Sequence, residues 1–247
     1  MKTIQAFTEI YCDESMVVLN KASGILTAAD RYDKDAPRLD TAASEIYGKL
    51  FAVHRIDKET SGAVIYARTP EAHRNISISF QKRTVEKTYH ALVYGQPLWS
   101  ETVSKMKLLV NGDFRHRTVV NKMGKDAETY FRFIGSCGPY SWIEAMPKTG
   151  RTHQIRAHLS QLGFCIVCDP LYSGNQKPVR LSDIKRSWRG NIYEERPLLA
   201  RLALHAWKIS LLHPVTEKQM TFTAPYPKDL DSTRKQLAKL FGTDPLA

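Results

Sequence analysis

One short stretch of the chain, His54 to Gly62, gathers a carboxylate, basic side chains and hydroxyls between two apolar runs. Asp57 lies at its centre, two residues after Arg55. The following run, residues 63–67, is apolar with β-branched and aromatic members, and it predicts a buried strand. A polar turn beside such a strand can hold side chains still for chemistry. Asp57 is therefore predicted to be either half of a structural ion pair or a working carboxylate.

Two further polar clusters lie next to apolar runs. Residues 86–89, Glu-Lys-Thr-Tyr, lead into a predicted strand, and residues 148–158 open a predicted helix with two arginines and two histidines. A helix start offers backbone N–H groups and a positive dipole end, which suit a phosphate group. Arg156 lies more than a turn inside this helix, so partial burial is predicted. A buried guanidinium needs a carboxylate, and Asp57 is the predicted partner.

Around these clusters the hydrophobic pattern predicts interleaved strands and helices. Residues 28–40, 95–125 and 173–197 are predicted to be mainly loop, with one short strand in the second segment. Adjacent strands that look like hairpins favour an α+β fold with a long mixed, largely antiparallel β-sheet, flanked by helices and loops. A single domain is predicted over 1–247, with a core pattern over about 11–225. Predicted strands cover 16–21, 63–67, 88–94, 129–134, 141–146, 202–212 and 219–223; predicted helices cover 41–50, 70–82, 151–162 and 228–241.

The composition is that of a folded, basic protein. The chain has 247 residues, of which 43% are hydrophobic and 25% charged, and its formal net charge is +11. Such an excess of positive charge favours a polyanionic partner, with nucleic acid first and an anionic membrane surface second. Glu9, Asp13 and Glu14 interrupt any signal-peptide pattern, and no run approaches the ~20 apolar residues of a membrane span. A cytoplasmic location in a reducing compartment is expected.

Several kinds of site are disfavoured by spacing. Cys165 and Cys168 have C-x-x-C spacing without a second pair, so they are interpreted as small residues of an apolar strand. His153 and His158 are five residues apart, which does not place two ligands on one helical face. The sequence has no Gly-rich phosphate loop, G-x-S-x-G elbow or H-E-x-x-H motif. No metal or cofactor is predicted.

Taken together, the three clusters resemble one family. The stretch HRIDKETSG resembles the HRLD-x-x-TSG signature of the RluA-type pseudouridine synthases, and EKTYHALVYG is similar to that family's second motif. PKTGRTHQIRAHLSQLG followed by DPLY is similar to the third. Weaker agreement begins at Val17 and continues to Phe222. The resemblance implies a pseudouridine synthase fold and an isomerase that converts uridine in structured RNA to pseudouridine.

The resemblance also implies roles for particular residues. Asp57 matches the catalytic aspartate, and Tyr89 the aromatic residue that stacks on the target base. Arg156 matches the arginine that pairs with the aspartate, and Arg55 the residue that helps to displace the target nucleotide from its stack. The family needs no cofactor or metal. Further contacts to substrate are predicted at His54, Thr60, Arg151 and His153.

The chemistry implied by the resemblance fits these residue types. A carboxylate can attack the ribose, attack the uracil ring or remove a sugar proton, and the sequence leaves all three open. A uridine inside an RNA helix must be flipped out before it can react. Phosphate contacts from a basic surface would hold the strand.

Departures from the family pattern are modest. Ala22, Ile56 and Cys168 stand where the family usually has proline, leucine and glycine. Because the pattern begins by about Val17, an N-terminal RNA-binding domain is not expected. Specificity is then expected from loops at 28–40, 100–125 and 173–197, although the Lys-Arg-Ser-Trp-Arg stretch in the last is equally well a solvated loop.

Other interpretations remain open at this point. An RNA-binding protein that keeps the fold without catalysis is one alternative, and the intact set of Asp57, Tyr89 and Arg156 disfavours it. A metal-dependent nuclease using His153 and His158 is another, and their spacing disfavours it. Transfer RNA and large-subunit ribosomal RNA are both open as substrates, and a monomer is the expected state.

Overall fold

The computed structural model describes residues 6–29, 36–174 and 177–247. Residues 30–35 of the predicted 28–40 loop and residues 175–176 of the 173–197 segment lie outside the described residues. The chain divides into a first unit, residues 1–89 with 205–225, and a second unit, residues 90–204 with 226–247.

Strands alternate irregularly with helices along the chain. The strands are β1 (Phe7–Cys12), β2 (Met16–Lys21), β3 (Phe51–Ala52), β4 (Ser61–Ala67), β5 (Glu86–Tyr94), β6 (Glu101–Leu109), β7 (Val119–Val120), β8 (Lys125–Cys137), β9 (Tyr140–Pro147), β10 (Leu204–Leu212) and β11 (Gln219–Thr223). The helices are α1 (Leu39–Tyr47), α2 (Pro70–Gln81), α3 (Gln154–Gln161), α4 (Leu181–Ile184) and α5 (Lys228–Phe241).

In the first unit, β2 and β4 are covered on both faces. β2 pairs antiparallel with β1 and β4, and β10 pairs parallel with β4 and antiparallel with β11. Met16 and Val18 pack on the α2 side with Ile76, whereas Val17 and Leu19 pack on the opposite side with α1. Burial on both faces explains why these strands are continuous apolar runs instead of alternating ones.

Gly62 is required where β4 meets β10. Its φ is +117°, a conformation that residues with a side chain rarely adopt. A Cβ built on Gly62 would lie 2.3 Å from the carbonyl oxygen of Ala206. The motif therefore ends in glycine because two backbones approach too closely there for any side chain.

In the second unit, strands β6 to β9 pair antiparallel. β8 pairs with β9 on one side and with β6 on the other, and β7 continues beyond β6. Trp142 on β9 and Phe131 on β8 are fully buried. Ala157 of α3 packs with Leu108 and Ala127, which fixes α3 against β6 and β8.

The predicted fold class is confirmed: the fold is α+β, with a large, mixed and largely antiparallel sheet. Helix α5 has the predicted bounds, and α2 begins at Pro70 with the Thr69 hydroxyl accepting from the amide of Ala72 at 3.1 Å. Within the described residues, the helices are all too short or too polar to cross a membrane. The prediction of a single domain over 1–247 stays a prediction.

Several predictions of secondary structure are wrong. The helix predicted over 41–50 is α1, which begins earlier and ends at Tyr47. The 95–125 segment, predicted to hold one short strand, contains the nine-residue β6 as well as β7. The strand β1 was not predicted at all. Helix α3 begins at Gln154, not at Arg151, because His153 has a left-handed conformation with φ of +53°.

Candidate active site

The loop that carries Asp57 is fixed to the chain segment that follows β2. The Thr27 hydroxyl donates to the Ile56 carbonyl at 2.9 Å and accepts from the Ile56 amide at 3.2 Å. The Ser23 hydroxyl donates to the Glu59 carbonyl at 2.7 Å. Carbonyls on both sides of Asp57 are therefore satisfied by one neighbouring segment, which restricts the loop backbone.

A fully buried lysine, Lys21, reinforces this attachment. Its ammonium group donates to the carbonyls of Ala22, Ile25 and Lys58 at 2.8, 2.7 and 3.0 Å. A buried charge is tolerated only when it is compensated, and three carbonyl dipoles supply part of that compensation here. Lys21 thus connects the end of β2 to the loop residue directly after Asp57.

We expect Lys21→Met to lower the free energy of unfolding by about 3 kcal/mol, because three carbonyls, one of them in a fully buried hydrogen bond, lose a charged donor. The turnover number should fall more than KM rises, because Asp57 loses its fixed position. Urea unfolding and steady-state kinetics measure the two effects. The matched control is Lys218→Met in the exposed turn before β11, where a change within about 0.5 kcal/mol is expected. Equal effects of the two variants would contradict the positioning role.

Asp57 and Tyr89 occupy the same part of the first unit. Both side chains are half-buried. Burial first, and the negative charge of Asp57 second, raise the pKa of Tyr89 above its ordinary value. Tyr89 also packs against the cluster that contains Ile56, the residue before Asp57. The fold therefore brings together a carboxylate and a neutral phenol ring that are 32 residues apart in the sequence.

His54, predicted to contact substrate, makes internal contacts. Its Nε2 accepts a hydrogen bond from the amide of Ile65 at 2.9 Å, and its ring stacks on Phe80 with centroids 4.8 Å apart. Burial lowers the pKa of His54 to about 3, so the ring is neutral at pH 7 and Nε2 can act as an acceptor. His54 thereby attaches the start of the loop to β4. Its contact with substrate stays a prediction.

The other two predicted residues of this loop differ in exposure. Arg55 is exposed, as a residue that reaches towards a ligand must be. Thr60 is buried, and its hydroxyl has no hydrogen-bond partner among the described residues. Its amide donates to the Asp57 carbonyl at 3.1 Å. A buried hydroxyl without a partner is costly, which is compatible with the predicted role of Thr60 in contacting a ligand.

In the second unit, Arg156 forms a buried bidentate ion pair with Asp169. The guanidinium Nε and Nη2 donate to the two carboxylate oxygens at 2.8 and 2.7 Å, and the side chains are 2% and 0% exposed. The predicted burial of Arg156 and its need for a carboxylate are confirmed. The carboxylate identified in this unit is Asp169; the pairing of Arg156 with Asp57 stays a prediction.

Tyr172 connects Arg156 to the loop before β7. Its ring lies 5.2 Å from the guanidinium of Arg156 and 5.8 Å from that of Arg117. Its hydroxyl donates to the Thr118 carbonyl and accepts from the Thr118 amide, both at 2.9 Å. His153 meets the same ring edge-on, with centroids 5.9 Å apart. The orientation of Arg156 thus depends on an aromatic residue of the DPLY segment.

Arg151 and His153 lie at the turn that starts α3. The Arg151 amide donates to Oε1 of Gln154 at 3.0 Å, and its side-chain Nε donates to the Asp126 carbonyl at 3.2 Å. Both residues are half-buried. They are held in place and remain accessible to solvent, and their contact with substrate stays a prediction.

Sequence reasoning gave no role to Lys21, Asp169 or Tyr172. A signal existed for Lys21, since it is the last residue of a strand predicted to be apolar, and a lysine buried there must be compensated. A signal also existed for the other two, because DPLY was part of the third motif. Which carboxylate pairs with Arg156 is decided by the fold of the segment after α3, which local sequence does not specify.

Comparisons with known proteins agree with the resemblance. A family model described as RNA pseudouridylate synthase matches residues 15–161. A Zymomonas mobilis protein named ribosomal large subunit pseudouridine synthase D is 30% identical, over 92% of this chain and 72% of its own length. A Chloroflexus aurantiacus protein named uncharacterized RNA pseudouridine synthase is 36% identical, over 75% of this chain and 52% of its own length. The chain therefore spans between about half and three quarters of these relatives.

A solved structure is similar in fold. The human protein named RNA pseudouridylate synthase domain containing 4 superposes with a TM-score of 0.69, over 93% of this chain and 92% of that one. Its sequence identity is 23%, so the similarity concerns the fold alone.

Proposed function

The chain belongs to the RNA pseudouridylate synthase family, a family of isomerases, and from this premise we propose that it converts one or a few uridines of ribosomal RNA to pseudouridine. The observation that carries the proposal is the position of Asp57, which is half-buried beside Tyr89 in a loop whose carbonyls are held by Lys21, Ser23 and Thr27. Large-subunit ribosomal RNA is the first candidate substrate because relatives carry that name. Transfer RNA is the alternative.

Asp57 is proposed as the catalytic group. The reaction must break the glycosidic C–N bond, turn the uracil and form a C–C bond between ribose and ring. An ionised carboxylate can start this by attack on the ribose, by attack on the ring or by removal of a sugar proton. The fixed loop favours each of these, since it holds the carboxylate in one position before substrate arrives.

Tyr89 is proposed to stack on the detached uracil. A phenol is neutral at physiological pH, and burial raises the pKa of Tyr89 further, so the ring presents an uncharged face. Arg55, which is exposed, is proposed to take the space that the target nucleotide leaves in its stack. Arg156 is proposed to pair with Asp57 as well as with Asp169, a role that rests on the resemblance.

The remaining contacts are proposed to bind RNA around the target. Arg151 and His153 lie at the start of α3, where backbone N–H groups and positive charge suit a phosphate. Thr60 and His54 border Asp57 in the loop. The net charge of +11 favours binding to the RNA backbone generally. A cytoplasmic location and a monomeric state are proposed along with this substrate, and no metal or cofactor is invoked.

Pseudouridine mapping of total cellular RNA tests the proposal. Cells that carry the gene should show one or a few modified uridines that are absent when the gene is deleted and return with the intact gene. The same uridines should be modified when purified protein is added to unmodified ribosomal RNA. A complete absence of changed sites, together with retained RNA binding, would contradict catalysis and support an RNA-binding protein.

A further inference from the structure

An open cleft lies in the second unit. It is bordered by the end of β6, the start of β8 and the turn before α3, and its volume is about 390 Å³. This volume falls within the roughly 300–1,000 Å³ typical of sites for small ligands. Asp57 and Tyr89 do not line it. The target uridine is therefore not its expected occupant.

The lining of the cleft has an apolar part and a basic part. Met123 and Val110 contribute the apolar part, and their side chains are 84% and 43% exposed. Lys125, Arg151 and Thr152 contribute the polar part. Exposed apolar side chains next to two cations suit a ligand with a flat uncharged face and an anionic group, which describes a nucleotide.

The apolar part is built into the structure. The Met123 amide donates to Oδ1 of Asn121 at 2.9 Å, and the Asn121 amide donates to the Lys107 carbonyl at 3.0 Å. A Cβ on Gly124 would lie 2.3 Å from the carbonyl carbon of Leu108, so the turn packs directly on β6. Met123 is thus exposed on a turn whose backbone is fixed, so a ligand can contact its side chain without a rearrangement of the turn.

The basic part is also positioned by hydrogen bonds. Arg151 is held on the cleft by its Nε, which donates to the Asp126 carbonyl at 3.2 Å. Lys125 follows Gly124 directly and is exposed. The acidic neighbour Asp126 is exposed as well, so the cation pair does not act in isolation.

We propose that this cleft binds one nucleotide of the RNA substrate other than the target uridine. The base lies against Met123 and Val110, and a phosphate contacts Lys125 and Arg151. The inference rests on the proposed function, because it takes the ligand to be RNA. The cleft then contributes to the choice of RNA structure around the target, since the apolar wall accepts only a base that is out of its stack.

The test uses the full-length protein and a fluorescein-labelled single-stranded RNA of twelve uridines, with binding followed by fluorescence anisotropy. Met123→Ala should weaken binding by about fivefold, because the base loses its apolar platform. Lys125→Gln should weaken binding at low salt and reduce the slope of log affinity against log salt by about 0.7, as expected for the loss of one phosphate contact. The controls are Leu98→Ala and Lys239→Gln, exposed residues of the same unit that do not line the cleft.

The outcomes separate the inference from the proposed function. The inference would be overturned, and the proposed function left standing, if both cleft variants bound RNA as the wild-type protein does while the wild-type protein made pseudouridine. An effect of Lys125→Gln without one of Met123→Ala would indicate a simple phosphate contact and would also overturn it. The anisotropy measurement does not depend on turnover. A wild-type protein that makes no pseudouridine would therefore contradict the proposed function, and the binding comparison between variants would remain valid.

Discussion

Replacement of Asp57 by asparagine is expected to reduce pseudouridine formation by at least about 10³-fold, within the range that a positioned acid–base or nucleophilic group contributes. Asparagine keeps the size of the side chain and its polarity but cannot act as an anionic nucleophile or base. The backbone carbonyl of residue 57, which accepts from the Thr60 amide, is unchanged by the substitution. RNA binding and the unfolding midpoint should therefore remain near wild type.

The loop itself offers a matched control for this prediction. Glu59 lies two residues from Asp57, is half-buried, and would lose the same charge in Glu59→Gln. Turnover by this variant should stay within about threefold of wild type, because the loop attachment uses the Glu59 carbonyl and not its side chain. A specific catalytic role for Asp57 would be refuted if turnover by Asp57→Asn stayed within tenfold of wild type. It would also be refuted if both variants lost turnover to the same extent.

The largest effect on stability is expected at Asp169. Its carboxylate accepts from Arg156 through both oxygens and from the amides of Leu171 and Tyr172 at 2.9 and 3.1 Å. Asp169→Ala would remove the carboxylate that compensates a guanidinium with 2% exposure, and the expected loss is about 3–5 kcal/mol. The double variant Arg156→Met, Asp169→Ala should be more stable than Asp169→Ala, because the buried charge is then absent. Urea unfolding measures both differences.

An exposed ion pair in α5 supplies the comparison. Lys235 and Asp231 lie 2.6 Å apart, one helical turn from each other, with side chains 65% and 29% exposed. Asp231→Asn should change the free energy of unfolding by less than about 1 kcal/mol, because water already solvates both charges. The interpretation of Arg156 and Asp169 would be wrong if Asp169→Ala cost no more than this exposed substitution.

The elements that were predicted correctly are those with local signals. Thr69 followed by Pro70 specifies the start of α2 through a side-chain cap and a fixed φ, and neither depends on distant residues. The strand β4 was equally clear, since both of its faces are covered and its sequence is continuously apolar. Such elements could be predicted because a few neighbouring residues determine them.

The missed elements depend on distant parts of the chain. In β6, Ser104 and Leu108 are buried while Lys105 and Lys107 are exposed, so charged residues obscured a strand that pairing with β8 stabilises. The residues of the candidate site likewise differ in whether local sequence is enough to predict them. Asp57 could be proposed from its motif, whereas the partner of Arg156 required the fold, because any of several carboxylates could have satisfied it.

The first unit is formed by two separate stretches of the sequence, and this affects the order in which its strands are synthesised. Its last strands, β10 and β11, are synthesised only after the whole of residues 90–204. Until β10 leaves the ribosome, β4 lacks the strand that pairs with it at Ser61 and Gly62, directly after the Asp57 loop. The nascent chain therefore carries its proposed catalytic loop in an unfinished state for most of translation, and a chain released before residue 205 could not complete it.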